Sequence, residues 1–181
     1  MTKKNGNWTI KETKKRFGND FFQVSEDKVI QPDGKNGTYA TIEFVPGVTV
    51  LPIDDEDYVY LTEQFRYSAG RKTLEAVAGA VENETPMRAA KRELKEELGI
   101  TAKEFIKVGK IQLDHSIIKS ESTQYVVRGL SFGETDQDSS EEMKTVKIKF
   151  KEAVEKVLNG EITHAPSCVL ILKAEKIISE K

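Results

Sequence analysis

A chain of 181 residues, 38% of them hydrophobic, has the material for one folded domain with a small appendage. Lys+Arg 28 against Asp+Glu 30 leaves a formal charge of −2, and no basic block follows Lys14-Lys15-Arg16, which argues against nucleic acid as a partner. The lone Cys168 excludes an internal disulfide framework and a multi-cysteine zinc site, and His115 and His164 are too few for a His-rich metal centre.

In chain order, residues 7–13 and 20–31 alternate weakly on either side of Phe17-Gly18-Asn19-Asp20. Pro32-Asp33-Gly34-Lys35 is a turn signal, and 38–44 is a β-rich run. Residues 1–44 therefore predict a small antiparallel sheet. Three strands from so little chain are marginally stable alone, so the piece must pack on the main domain, 45–181, or on another subunit. Trp8 and Phe17 read as packing residues.

Strands are expected at Val48-Thr49-Val50-Leu51-Pro52-Ile53 and Tyr58-Val59-Tyr60-Leu61, around Asp54-Asp55-Glu56-Asp57, which reads as a solvated hairpin tip. A short strand over 73–78, a helix over Pro86–Leu98, and strands over 106–113 and 124–130 follow. A polar acidic loop spans 131–142, then a strand over 143–150 and helices over 151–158 and 165–178. This order predicts an α+β domain with a mixed sheet between helices. With no apolar run near the length of a membrane span and no apolar signal segment, a soluble cytoplasmic protein away from membranes is expected.

The helix over Pro86–Leu98 carries the most information. Thr85 suits the N-cap, Pro86 the first helical position, and Gly99 the left-handed position beyond the end. At about 100° per residue, Met87, Ala90, Leu94 and Leu98 form one stripe. Glu93 and Glu97 flank it on one shoulder with Glu96 further round, and Arg88, Lys91, Arg92 and Lys95 lie on the other. The like-charge pairs Glu93–Glu97 and Glu93–Glu96 each cost an isolated helix a few tenths of a kcal/mol. The run is either a solvated, charge-rich face or a carboxylate cluster for a hard divalent cation such as Mg²⁺, which takes oxygen ligands and bridges to phosphates.

The string from Gly79 through Glu84 to Arg92-Glu93-Leu94-Lys95-Glu96-Glu97-Leu98-Gly99-Ile100 resembles the Nudix box, the motif of hydrolases acting on nucleoside diphosphates linked to another group. The helical half matches at every fixed position, whereas Gly79 and Glu84 stand one residue closer together than in the family pattern. The resemblance implies an α/β/α sandwich with the box as loop–helix–loop. It implies a metal held by Glu93, Glu96, Glu97 and the Ala78 carbonyl, with Mg²⁺ as the ion and Mn²⁺ as a substitute. Glu96 and Glu97 would then be catalytic, and Arg92 would orient the box, with Glu84 as a partner.

Glu63-Gln64-Phe65-Arg66 and Leu74-Glu75-Ala76-Val77-Ala78-Gly79 resemble the segments ahead of the box in ADP-ribose pyrophosphatases and related nucleoside diphosphate sugar hydrolases. That resemblance implies that Arg66 contacts substrate phosphate and that Glu121 contacts substrate. It further implies that residues 1–44 are exchanged in a homodimer, with Phe21 of the pair Phe21-Phe22 stacking on the nucleobase. The family's general base, a glutamate in the loop before the next strand, would fall near Asp138 and Ser139; Glu141 is the candidate, with Asp138 and Glu142 next. The proline that ADP-ribose enzymes carry beyond the box is missing from Asp114-His115-Ser116-Ile117. The implied activity is Mg²⁺-dependent cleavage of a nucleotide sugar of ADP-ribose, ADP-glucose or GDP-mannose type. The alternatives are nucleoside triphosphate house-cleaning and a non-catalytic nucleotide-sugar sensor.

Overall fold

The structure, a computed structural model, describes residues 2–135 and 143–179. The chain divides into two compact units: the chain through Val45 with Gln112–Glu121, and Pro46–Ile111 with Ser122 onward.

The first unit is a sheet of five strands, β1 (Lys3–Asn5), β2 (Trp8–Gly18), β3 (Phe22–Ile30), β4 (Asn36–Phe44) and β10 (Ile118–Lys119), in the order β1-β2-β3-β4-β10. The turn between β3 and β4 is the expected one. Asp33 accepts from the Lys35 N–H, and Gly34 takes a φ of +86°, which an L side chain resists. The unit is not built from the N-terminal residues alone. β10 pairs parallel to β4, Ile118 opposite Ile42, and the Tyr39 hydroxyl donates to the Ser116 carbonyl. A two-residue strand leaves no periodicity to read, so this addition was invisible in the sequence.

Trp8 packs edge-on against Tyr39 at 5.5 Å between ring centroids, while Phe17, Phe22 and Phe44 form a ladder at 5.7 Å per step. Val29 is the one fully buried hydrophobic side chain of this unit among the described residues. So thin a core agrees with the marginal stability expected of a small sheet.

The second unit contains β5 (Gly47–Pro52), β6 (Tyr58–Arg66), β7 (Arg71–Glu75), β8 (Val77–Ala80), α1 (Pro86–Leu98), β9 (Ile100–Ile111), β11 (Ser122–Phe132), β12 (Met143–Lys149), α2 (Phe150–Leu158) and α3 (Ala165–Ser179). One sheet runs β8-β5-β11-β9, with β5 and β11 parallel and the other pairs antiparallel; an antiparallel sheet runs β12-β6-β7. The fold is α+β with mixed sheet, as the element order implies.

Strand alternation sorts the core into two clusters. Val48 and Val50 of β5, with Tyr125 and Val127 of β11, meet Ala89, Ala90, Leu94 and Leu98 of α1. Leu51, Ile53 and Val126 point the other way, to Phe150, Ala153 and Val154 of α2 and Leu170, Ile171 and Ala174 of α3. The strands therefore lie between α1 and the two C-terminal helices. The strand expected over 73–78 is interrupted at Ala76, whose N–H donates to Ser167 Oγ at 2.8 Å instead of to a neighbouring strand.

The acidic turn is a hairpin tip with an internal use for its first residue. Asp54 accepts from the Glu56 and Tyr58 N–H groups and from the Tyr60 hydroxyl. Among the described residues no helix is long and apolar enough to cross a membrane.

Candidate active site

α1 begins and ends where its sequence says it should. Thr85 Oγ1 accepts from the Arg88 N–H at 3.3 Å, Pro86 occupies the first turn, and Gly99 closes the helix at φ +64° with its N–H donating to the Lys95 carbonyl. These stops fix the helix in register against β5 and β8, and so fix which side chains stand on its charged shoulder. Leu94 is fully buried and Ala89 joins the stripe, while Met87 lies at its margin. Glu97, placed on the shoulder by the helical wheel, is itself buried at 8% exposure. The wheel gives direction but not the depth to which the neighbouring strands bury it.

Glu93 stands over β8. A Cβ added to Gly79 would overlap the Glu93 carboxylate, so the carboxylate can lie here only while this position lacks a side chain. Gly79 lies within β8, paired with Val48, and is not among the residues of positive φ. Its value is the close approach it permits between carboxylate and backbone, beside the Ala78 carbonyl.

Arg92 gathers the acids. Its Nε donates to Glu84 Oε1 at 2.9 Å, its Nη1 lies 2.8 Å from Glu93 Oε1 and 2.9 Å from Glu96 Oε2, and its Nη2 donates to the Ala80 carbonyl at 3.1 Å. Burial alone would lower the Arg92 pKa, but Glu84, Glu93 and Glu96 raise it, so the guanidinium stays charged. The planar fork thus ties the loop that carries Ala80 and Glu84 to the helix that carries Glu93 and Glu96. The shortened spacing between Gly79 and Glu84 does not prevent the contact between Arg92 and Glu84.

Arg66 ends β6 and is two-fifths exposed at its side chain. Its Nε and Nη2 donate to Glu75 Oε1 and Oε2 at 3.0 and 2.7 Å. Burial would push the Glu75 carboxyl up, but the hydrogen bonds from Arg66 and Thr73 outweigh it and hold the pKa below the usual range. Sequence reasoning passed over Glu75. The available signal was a charged residue at an inward position of a strand, between Leu74 and Ala76.

Phe21 and Glu121 belong to the first unit. Phe21 is exposed at 61%, and its N–H donates to Asn19 Oδ1, while Phe22 is taken up in the aromatic ladder. Glu121 is half-buried at the end of the segment that carries β10. Glu141, Asp138 and Glu142 lie outside the described residues.

The oxygen donors on α1 fit a hard cation in kind: carboxylates on one side of a helix, one of them laid over a backbone position that a Cβ would fill. Among the described residues no three acidic, His or Cys side chains converge as a ligand set. Glu93 and Glu96 instead share Arg92 Nη1.

Residues 43–167 match the NUDIX domain. The chain belongs to the Nudix hydrolase family. This Nudix protein is 26% identical over 160 residues to an ADP-ribose pyrophosphatase of Mycobacterium tuberculosis (strain ATCC 25618 / H37Rv), covering 86% of this chain and 77% of that protein. It is 26% identical over 158 residues to an ADP-ribose pyrophosphatase of Bacillus subtilis (strain 168), covering 86% of this chain and 85% of that one. Its fold is similar to the crystal structure of an ADP compounds hydrolase, with a TM-score of 0.87, 19% identity, and coverage of 98% of this chain and 97% of that chain.

The contact between Glu93 and Gly79 yields a direct test. Gly79→Ala forces the Glu93 carboxylate off the backbone, a displacement that a side-chain rotation absorbs without unfolding the helix. Turnover is expected to fall by about tenfold or more, with the thermal unfolding midpoint little changed. An alanine variant with wild-type turnover would show that the position of the carboxylate is immaterial.

Proposed function

We propose that this Nudix enzyme hydrolyses the pyrophosphate bond of a nucleoside diphosphate sugar of the ADP-ribose, ADP-glucose or GDP-mannose type, with Mg²⁺. The products are a nucleoside monophosphate and a sugar phosphate. The observation that carries this reading is the carboxylate shoulder of α1, with Glu93 laid over Gly79 and Arg92 binding loop to helix. The ADP-ribose pyrophosphatases among its relatives support the choice of substrate class.

Glu93, Glu97 and the Ala78 carbonyl would hold the ion, with Glu96 joining them, and Mn²⁺ would serve in place of Mg²⁺. A divalent ion bound there neutralises pyrophosphate oxygens and acidifies bound water. Arg66 contacts a substrate phosphate and offsets its charge. Glu141, or Asp138 or Glu142 beside it, takes the proton as water oxygen bonds to phosphorus and the bridging P–O bond breaks. Arg92 keeps the carboxylates in place and does not touch substrate.

Residues 1–44 form an exchanged element of a homodimer, in which exposed Phe21 stacks on a nucleobase and Glu121 contacts substrate. Support comes from the thin core of the first unit and from three exposed aromatic side chains there: Phe17, Phe21 and Phe44.

The test is purified protein with Mg²⁺ against nucleotide sugars, nucleoside triphosphates and dinucleoside polyphosphates, with products identified. A monophosphate and a sugar phosphate are expected from a nucleotide sugar. Turnover of triphosphates alone, or of nothing, would refute the reading in favour of house-cleaning or sensing. Glu97→Gln should lower kcat by roughly 10²-fold or more, and chelation should abolish activity reversibly; near-normal turnover of that variant at saturating Mg²⁺ would remove Glu97 from the metal set.

For the base, one of Asp138→Asn, Glu141→Gln and Glu142→Gln should depress kcat with little change in KM and flatten the alkaline-going rise of the pH profile. Wild-type behaviour of all three would place the base elsewhere.

Light scattering at micromolar concentration should return twice the chain mass. A variant lacking residues 1–38 that is monomeric and fully active on nucleotide sugars would refute the exchange.

A further inference from the structure

Arg66 does not meet Glu75 as a surface pair. Glu75 is 3% exposed, and three separate elements converge on its carboxylate. From β6, Arg66 donates through Nε and Nη2, so the fork uses one edge of the guanidinium and directs Nη1 away from Glu75. From β7 itself, Thr73 Oγ1 donates to Oε1 at 2.7 Å. From the residue just ahead of α3, His164 Nδ1 lies 3.4 Å from Oε2.

His164 is fixed in turn. Its Nδ1 is 2.8 Å from Ser167 Oγ, and its carbonyl accepts from the Cys168 N–H in the first turn of α3. Ser167 Oγ accepts the Ala76 N–H, at the break between β7 and β8, so the start of α3 holds both the imidazole beside Glu75 and the strand leading to Ala78 and Gly79. A carboxylate can only accept, so only a hydrogen on Nδ1 could be directed at Glu75 Oε2, 3.4 Å away, and Ser167 Oγ at 2.8 Å is the nearer oxygen. Burial lowers the His164 pKa more than the neighbouring Glu75 raises it, with Arg66 acting in the same sense as burial.

Such a chain has no purpose if Arg66 is only a solvated arginine. Exposed ion pairs contribute little, and burying a carboxylate to make one is costly. It has a purpose if one edge of the guanidinium must be immobile before an anion meets the other, because a pre-ordered side chain surrenders no rotamer freedom on binding. We infer that Glu75 is the positioning residue of Arg66, and that His164, delivered by the start of α3, sets Glu75, so that the C-terminal helix takes part in placing the phosphate contact. This rests on the reading above that Arg66 contacts substrate phosphate.

The experiment is steady-state kinetics on the nucleotide sugar turned over best, for wild type, Arg66→Ala, Glu75→Gln, His164→Asn and the two double variants that combine Arg66→Ala with each of the others. Arg66→Ala and Glu75→Gln are both expected to raise KM by about tenfold and His164→Asn by about threefold, with kcat changed less than about threefold in each. In the Arg66→Ala background, the Glu75 and His164 substitutions should add nothing to KM, because they act through the arginine.

Full additivity on that background, or unchanged KM in Glu75→Gln and His164→Asn while Arg66→Ala raises it, would overturn the positioning role and leave the phosphate role of Arg66 standing. Wild-type KM in Arg66→Ala would instead refute the phosphate role and the inference with it. Should Glu75→Gln fail to fold, the pair His164→Asn and its double variant carries the same comparison, since His164 is partly exposed and asparagine suits a helix start.

Discussion

The site depends on one close approach: a carboxylate of α1 laid over a strand position that has no side chain. Glu93 reaches β8 only because residue 79 is glycine and because the apolar face of α1 is seated deeply enough to bring the helix there. Leu94, next in sequence, is fully buried, and so are Ala89 and Ala90, whose small side chains bring the helix close to the strands of β5 and β8. Burial of each large apolar side chain contributes about 1.5–3 kcal/mol, against a few tenths for each like-charge pair in an isolated helix. The apolar stripe therefore holds the helix where its acids would rather be apart. Arg92 offsets that repulsion by binding Glu84, Glu93 and Glu96 with a single guanidinium.

The same division of labour recurs at Arg66. Arg66 is not left on a flexible stem but is forked onto a buried acid, which also accepts from Thr73 on β7 and lies 3.4 Å from His164 at the start of α3. The two arrangements mirror one another. At α1 an arginine organises carboxylates, and at β6 a carboxylate organises an arginine. Both are tied to the same short stretch, Ala76–Ala80, through the Ser167 contact on one side and the Ala80 carbonyl on the other.

Much of this was legible in the residues. Thr85, Pro86 and Gly99 bracket α1 because each has a distinct local reason to stand where it does, and the stripe through Ala90, Leu94 and Leu98 follows from the helical period. The turn at Asp33-Gly34 and most strands were readable from alternation and turn chemistry.

What escaped the reading is what depends on approach between distant segments. The burial of Glu97, the approach of Glu93 to Gly79 across 14 residues, and that of His164 to Glu75 across 89 are set by packing, which no local pattern encodes. The same holds for the first unit. The strand pattern changes after residue 44, whereas β10 joins the sheet from the middle of the chain. The proposed metal set was legible as a spacing of acids, not as a geometry, since two of those acids turn out to be bound to Arg92.

The proposed function requires a divalent ion at α1. Crystals of the enzyme soaked in Mn²⁺, with anomalous diffraction recorded near the manganese edge, test this most directly, because Mn²⁺ takes the same oxygen donors as Mg²⁺. The account predicts a strong anomalous peak within coordination distance of Glu93 and Glu97, beside the Ala78 carbonyl, with Arg92 drawn back from Glu93. A peak held by other residues, with Glu93 still bound to Arg92, would contradict it.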